Sequence, residues 1–126
     1  MSATPQLSQS VTSIGKKILL PVMGGLNFEK TTEILSLKAE GNYTRLYFCD
    51  GRKMLVCKTL LAVEKLIGNP LIFVRIHRSH TINLNRIQQY IRGKGGYVKM
   101  ENGQQWEVSV SKKKYFMNAL EIYFGQ

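Results

Sequence analysis

Apolar and polar positions alternate along most of this chain in short runs broken by glycine. Lys17 to Val22 is apolar and stops near Gly24-Gly25, Leu26 to Phe28 makes a briefer run, and Glu33 to Ala39 carries Ile34, Leu35 and Leu37. Tyr43–Cys49 and Lys53–Lys58 flank Asp50-Gly51, and Tyr97–Met100 and Trp106–Val110 flank Asn102-Gly103. Each dipeptide between strand-like runs predicts a type I′ hairpin, which needs positive φ at both central residues. Phe73–His77 and Ile87–Ile91 supply two more strands, with no strand assigned between them. Within Phe73–Ile87, Val74, Ile76 and Ile82 are expected to point inward. Two segments change to helical spacing. Thr59 caps the first, which carries Leu60, Val63, Glu64 and Ile67 and is stopped by Gly68 and Pro70. Ser111 caps the second, with Tyr115, Ala119 and Ile122 on one stripe and Phe116 and Leu120 beside it. Strands recurring about every ten residues predict a mainly-β, sandwich or barrel-like assembly. No internal repeat is present.

Length and charge narrow the picture. A chain of 126 residues makes one domain with a real core. Eighteen Lys and Arg against eight Asp and Glu give a net charge of +10. That surplus speaks of partners rather than fold, and suits DNA, RNA or an anionic membrane surface. No apolar run reaches the roughly 18 residues of a membrane span. Met1–Ser13 is polar, rich in Ser, Thr and Gln, and lacks a secretory signal's apolar stretch. The chain therefore divides into a disordered polar tail, residues 1–15, and a folded domain, residues 16–126. Two cysteines, Cys49 and Cys57, make no disulfide framework and read as cytosolic thiols that can face each other across a hairpin.

Enzyme chemistry finds little support. Asp50 is the only aspartate and the turn accounts for it, and no carboxylate pair is spaced for acid–base work. His77 and His80 are three apart, so on one strand they face opposite sides, and no further ligand stands at a metal spacing. One histidine is expected to support the loop and the other to reach the surface. Gly93-Lys-Gly-Gly96 lacks the Lys-Ser/Thr of a P-loop and sits between strands, so turn glycines explain it. No cofactor, metal or catalytic group is expected.

Basic patches are more informative. Phe73–Ile87 holds Arg75, His77, Arg78, His80 and Arg86 with no intervening carboxylate to neutralise them. Arg, His, Asn and Ser at a strand end are donors suited to phosphates and base edges. Lys112-Lys113-Lys114 opens the second helix, where cations oppose the macrodipole at ~0.3–1 kcal/mol each. A phosphate docked at that end would reverse the sign of their effect. A third patch is Asn42-Tyr-Thr-Arg45, joined by Lys58 after the same hairpin.

In this order the segments resemble the LytTR DNA-binding domain of bacterial transcription regulators, over roughly Lys16 to Leu120. Four stretches carry the resemblance: Ala39-Glu-Gly-Asn-Tyr-Thr44; Asp50-Gly51 with Lys58-Thr-Leu60 and Val63-Glu64; Phe73-Val-Arg-Ile-His-Arg-Ser79 with Ile82-Asn-Leu-Asn85; and Asn102-Gly103 with Val108-Ser-Val-Ser111 and the lysines. The third is the most specific. The resemblance implies an elongated barrel-like assembly of short strands with two short helices. It also implies loops that enter successive major grooves, with no recognition helix. The Tyr43 region, the His77-Arg78-Ser79 loop and the start of the Ser111 helix fall on the family's three contact segments. Many relatives carry Arg at or near position 111, where this chain has Ser111 and then lysines, which lack Arg's bidentate fork. Relatives usually carry a receiver or sensor domain. A short tail in its place suggests a stand-alone domain or a piece of a longer protein.

The expectation is a cytoplasmic regulator without enzymatic activity, the output domain of a response regulator, bound to promoter double-stranded DNA and not to membranes. The resemblance implies direct repeats and room for a second protomer. Arg78 is the first choice for base readout, with Lys112 or Lys113 next. Asn42, Tyr43, Arg45, Lys58, Ser79, Ser111 and Lys114 fall to phosphate or supporting contacts, and His77 to orienting the loop. The rival is an RNA- or single-strand-binding β module, which needs exposed aromatics as stacking platforms. Tyr43, Tyr47, Tyr90 and Tyr97 are its candidates.

Overall fold

The computed structural model describes residues 17–125, and the expected tail at residues 1–15 lies outside them. Ten strands and two α-helices follow one another as β1 (Lys17–Val22), β2 (Gly25–Lys30), β3 (Ile34–Glu40), β4 (Tyr43–Phe48), β5 (Lys53–Val56), α1 (Leu60–Ile67), β6 (Phe73–His77), β7 (His80–Asn83), β8 (Ile87–Ile91), β9 (Tyr97–Met100), β10 (Gln105–Glu107) and α2 (Lys113–Phe124). Seven strands form one sheet in the order β2-β1-β5-β4-β3-β7-β6, and β10-β9-β8 form a second. The fold is mainly β with two helices. The large sheet is open, with β2 and β6 at its edges.

Alternation along β6 explains how two cores form. Phe73 joins α1's Leu60, Val63 and Ile67 over Leu20, Ile34, Leu37 and Leu46. Val74 and Ile76 point the other way, into a second core with Ile82, Leu84, Val98, Met100, Val108 and Phe116. Each apolar side chain so buried contributes about 1.5–3 kcal/mol. The three inward residues expected from the sequence are indeed buried.

Local chemistry sets the boundaries. The Thr59 side chain accepts from the Ala62 amide, and Gly68 ends α1 in the left-handed region, a cap worth about 1 kcal/mol. The second helix differs from expectation. Val110–Lys112 form a short 3-10 turn, α2 begins at Lys113, and no side chain caps it. Ser111 is therefore not its cap. Nor is Tyr115–Ala119–Ile122 the buried stripe: Phe116 is buried, while Tyr115 and Ile122 are exposed. Lys114, Asn118 and Glu121 share one polar stripe, and Phe116 with Ala119, Leu120 and Tyr123 packs on the opposite face.

Both glycine hairpins form with a different turn. The Gly51 amide donates to the Phe48 carbonyl and the Phe48 amide to the Arg52 carbonyl; Gly103, Met100 and Gln104 repeat the pattern. Only the glycine of each pair has positive φ. These are three-residue loops ending in a left-handed glycine rather than two-residue type I′ turns. The register pairs Thr44 with Val56 and Tyr47 with Lys53. Cys49 and Cys57 thus lie at opposite ends of the ladder, not face to face.

The unassigned stretch after His77 contains β7, which pairs with both β6 and β3. It is only four residues long, and Thr81, Ile82 and Asn83 are buried on both of its faces; the bulge at Ile76 lies on β6. That left little period for the sequence to display.

Candidate nucleic-acid interface

Three of the expected basic segments come together through main-chain hydrogen bonds. The Ala39 amide donates to the Ser79 carbonyl at 2.8 Å, joining the β3–β4 hairpin to the β6–β7 turn. The Ser109 amide donates to the Ile76 carbonyl at 3.0 Å, joining that turn to the approach to α2. Asn42, Tyr43, Arg78, Ser111 and Lys114 are exposed, and Ser79, Lys112 and Lys113 partly so. Lys58 is exposed beside the first segment, where its carbonyl accepts from the Thr44 hydroxyl at 2.8 Å.

The β6–β7 turn is held on three sides. The His77 Nδ1 accepts from the Ser79 amide at 3.2 Å and lies 3.0 Å from the Ser79 hydroxyl. An amide can only donate, so a neutral ring carries its proton on Nε2. Arg75 donates from Nη1 to the Arg78 carbonyl at 3.1 Å, and from Nε and Nη2 to Glu64 at 2.9 and 2.8 Å. The Thr81 hydroxyl donates to the same carboxylate. Burial pushes the Glu64 pKa up, but the hydrogen bonds from Arg75 and Thr81 outweigh it and leave the group below its ordinary value, helped by the charge of Lys112. Glu64 corrects the reading of Phe73–Ile87 as a run with nothing to neutralise it. The carboxylate arrives through space, from α1. Glu101 likewise pairs with Arg86 at 3.3 Å.

His80 supports the turn from beneath. The two histidines lie on adjacent strands of the hairpin rather than on one strand, and their rings are 5.5 Å apart. The His80 ring packs on Trp106 at 4.4 Å, and Tyr47 meets the indole at 5.5 Å. Both His80 nitrogens are buried without a hydrogen-bond partner. Burial lowers its pKa to about 4, with the charges of His77 and Lys38 acting in the same direction. His80 therefore does not reach the surface as expected, and it is neutral at physiological pH. Among the described residues no group of three or more His, Cys, Asp or Glu is placed to hold a metal.

Not every expected contact is equally available. Arg45 is committed to Glu40, donating from Nε at 2.6 Å and Nη2 at 3.0 Å, and these bonds hold Glu40 below its ordinary pKa. Arg78 makes no salt bridge among the described residues. The aromatic candidates for base stacking scatter. Tyr47 is buried, Tyr90 turns its hydroxyl onto the Gly95 carbonyl, and Tyr43 and Tyr97 are exposed on different sheets. Burial raises the pKa of the Cys49 thiol, which disfavours its reactive form. Glu64, Thr81 and Trp106 support the turn without having been expected to, and His80 joins His77 in the supporting role expected of one histidine. Their polar or aromatic character was visible, but their meeting depends on strand pairing and on the seat of α1.

No helix among the described residues is long and apolar enough to cross a membrane. No curated protein matches the chain. A search of solved structures finds the LytTr DNA-binding domain of a response regulator from Bacillus cereus, 23% identical, with a TM-score of 0.70, covering 82% of this chain and 95% of that one. At that identity the likeness concerns the fold. The family profile for the LytTr DNA-binding domain matches residues 25–121. By that match, the chain belongs to the LytTR family of DNA-binding domains, regulators of transcription.

Proposed function

We propose that this domain recognises specific duplex DNA sequences through its loops in the major groove, and that it regulates transcription without catalysing a reaction. The observation that carries the reading is the joined row formed by the β3–β4 hairpin, the β6–β7 turn and the start of α2, with an unpaired Arg78 near its centre. Arg78 is the base reader, because its planar fork matches guanine O6 and N7. The His77 Nε2–H is a second donor beside it. Asn42, Tyr43, Lys58, Ser79, Ser111, Lys112, Lys113 and Lys114 fix the register through phosphates and sugars. Arg45 shapes the first hairpin through Glu40 rather than serving as a free cation. The domain acts in the cytoplasm, and two copies occupy direct repeats of a short site.

Selection from a pool of random duplexes tests the reading. A recovered consensus, bound in the presence of excess single-stranded DNA and RNA, supports it. Recovery of no consensus, or displacement by single strands as readily as by duplex, overturns it in favour of a single-strand-binding module.

A further inference from the structure

We infer that the β8–β9 loop, Arg92–Gly96, is a fourth segment of the interface and grips the DNA backbone beyond the start of α2. The inference rests on the duplex-binding reading above.

Position comes first. The Lys113 ammonium donates to the Gly93 carbonyl at 3.3 Å, so the loop touches the first residue of α2. The Val108 amide donates to the Gly96 carbonyl at 2.9 Å, and the next amide, Ser109, donates to Ile76 beneath the β6–β7 turn. One short segment of chain therefore carries the loop, the turn and the helix start together. The row extends from the Gly41-Asn42 tip through Arg78 and Lys113 to Lys94.

Charge points the same way. The chain has six arginines. Arg45, Arg52, Arg75 and Arg86 are paired with carboxylates. Among the described residues Arg78 and Arg92 alone are not, and both stand on this row. No Asp or Glu occurs anywhere between Glu64 and Glu101. Arg92 and Lys94 are both exposed. A polyanion is the partner that such a ridge fits, and the neighbouring segments already favour duplex DNA over an anionic membrane surface.

The loop is also built rather than slack. Gly95 and Gly96 are buried. A Cβ on Gly95 would lie 1.8 Å from the Val108 carbonyl oxygen. One on Gly96, whose φ is +86°, would lie 2.3 Å from the Tyr90 hydroxyl. That hydroxyl instead donates to the Gly95 carbonyl at 2.6 Å. The glycines press the loop's base against Val108 and Ser109, just past β10, and against Tyr90 of β8, and Lys94, just before them, is exposed. A cation presented on a fixed backbone loses less freedom on binding than one on a mobile arm. Lysine, a compact charge without a fork, suits phosphate rather than base readout.

The test compares the wild-type domain with an Arg92→Gln, Lys94→Gln double variant on the selected duplex and on a scrambled one. The expected result is an unchanged thermal midpoint, weaker binding to both duplexes by the same factor, and a log K against log salt slope flatter by about 2. Hydroxyl-radical protection should be lost at one flank of the footprint only. An unchanged slope and affinity in a variant measured beside a binding wild type overturns the inference and leaves the duplex reading intact. Loss of cognate preference with little change in scrambled binding also overturns it, because the loop would then read bases. Wild-type binding to phosphatidylserine vesicles but to no duplex overturns both.

Discussion

Two turns of this sheet each carry an arginine, and the protein treats them in opposite ways. At the β4–β5 turn, Arg52 donates to Asp50 at 2.8 Å and to both oxygens of Glu29 at 2.9 and 3.0 Å, with its guanidinium 4.4 Å from the Phe48 ring centre. At the β6–β7 turn, Arg78 has no carboxylate among the described residues. A second arginine, Arg75, takes the carboxylate of Glu64 and holds the Arg78 carbonyl. One turn consumes its cation in joining β2 to the β4–β5 turn. The other spends a neighbouring cation on its scaffold and keeps its own for a partner. Net charge measures neither outcome, because availability is set by where the carboxylates land in three dimensions.

The strongest way to break this contrast is to remove the scaffold. Glu64→Ala takes the acceptor from Arg75 and Thr81 together. The Arg75 and Glu64 side chains are 25% and 20% exposed. Orphaning one partner of a fully buried pair costs about 3–5 kcal/mol, and this partial exposure reduces the expected loss to about 2–3 kcal/mol. Urea unfolding measures it. With Arg75 released, the Arg78 carbonyl loses its anchor, so cognate preference should fall in the variant that remains folded. A variant of wild-type stability and wild-type preference would remove this network as the support of the turn.

Next in size is the reader itself. Arg78→Lys keeps the charge and loses the fork. A bidentate contact to guanine is worth ~1–3 kcal/mol of discrimination, so the ratio of cognate to scrambled affinity should fall about ten- to hundredfold at fixed salt. Scrambled-duplex affinity should hardly move. A preserved ratio would make Arg78 a phosphate anchor and send the search for the reader to Tyr43, His77 or the Lys112 turn.

The contrast also shows what the sequence could display. Strand periods were plain where one face is buried, as in β6, where Val74 and Ile76 alternate with Arg75 and His77. Gly51 and Gly103 marked their turns, although the turn type depended on one residue more of loop than the dipeptide suggests. Thr59 and Gly68 bounded α1 because capping is local. Through-space pairing was not legible. Glu64 is eleven residues from Arg75, and Glu40 lies across a hairpin from Arg45. The seat of His80 on Trp106 depends on contact between two sheets. At α2 the apolar arc is wide and the expected stripe of Tyr115, Ala119 and Ile122 lies along its edge, whereas the polar stripe of Lys114, Asn118 and Glu121 marks the opposite face, with Phe116, as the buried one; the 3-10 turn also delayed the helix past Ser111. The three basic segments were found as charge, but which arginines among them remain unpaired required the fold.

Acid offers a subtler way to distinguish the turns. His80 supports the β6–β7 turn and no histidine stands in the β4–β5 turn. Its folded pKa is lowered to about 4, whereas an unfolded histidine titrates near 6.5. As pH falls through about 6.5 the unfolded chain takes up a proton that the folded one refuses. Stability is therefore full above that value, declines down to about 4, and changes no further below it from this group. At about pH 5 the loss attributable to His80 is on the order of 2 kcal/mol. His80→Phe keeps a ring against Trp106 and cannot be protonated. Unfolding free energies at about pH 7.5 and 5 should differ by roughly that much more in the wild type than in the variant. Equal differences would mean that water reaches His80 in the folded state.

The smallest effect is expected at the other turn, and it makes the contrast specific. Arg52→Gln removes as much charge as an Arg78 substitution does, from a residue that is similarly exposed on the surface. Arg52 and Asp50 are about half exposed, 47% and 55%, and only Glu29, at 14%, is mostly covered; with the guanidinium in water, where salt screens it and a long side chain gives up freedom, the pairs contribute modest stability. The substitution also frees Asp50 at the turn and Glu29 on β2, carboxylates that are not joined to the proposed row. If only net charge governed DNA binding, Arg52→Gln and Arg78→Gln would weaken scrambled-duplex binding alike. If available charge governs it, Arg52→Gln should leave the cognate affinity, the preference ratio and the salt slope within the scatter of the measurement, because condensed counterions leave a phosphate only where a free protein cation takes their place. Parallel salt titrations of the two variants make the comparison. A slope that flattens equally in both would show that the ion pairs at the β4–β5 turn open on DNA, and the distinction between spent and unspent arginines would fall with it.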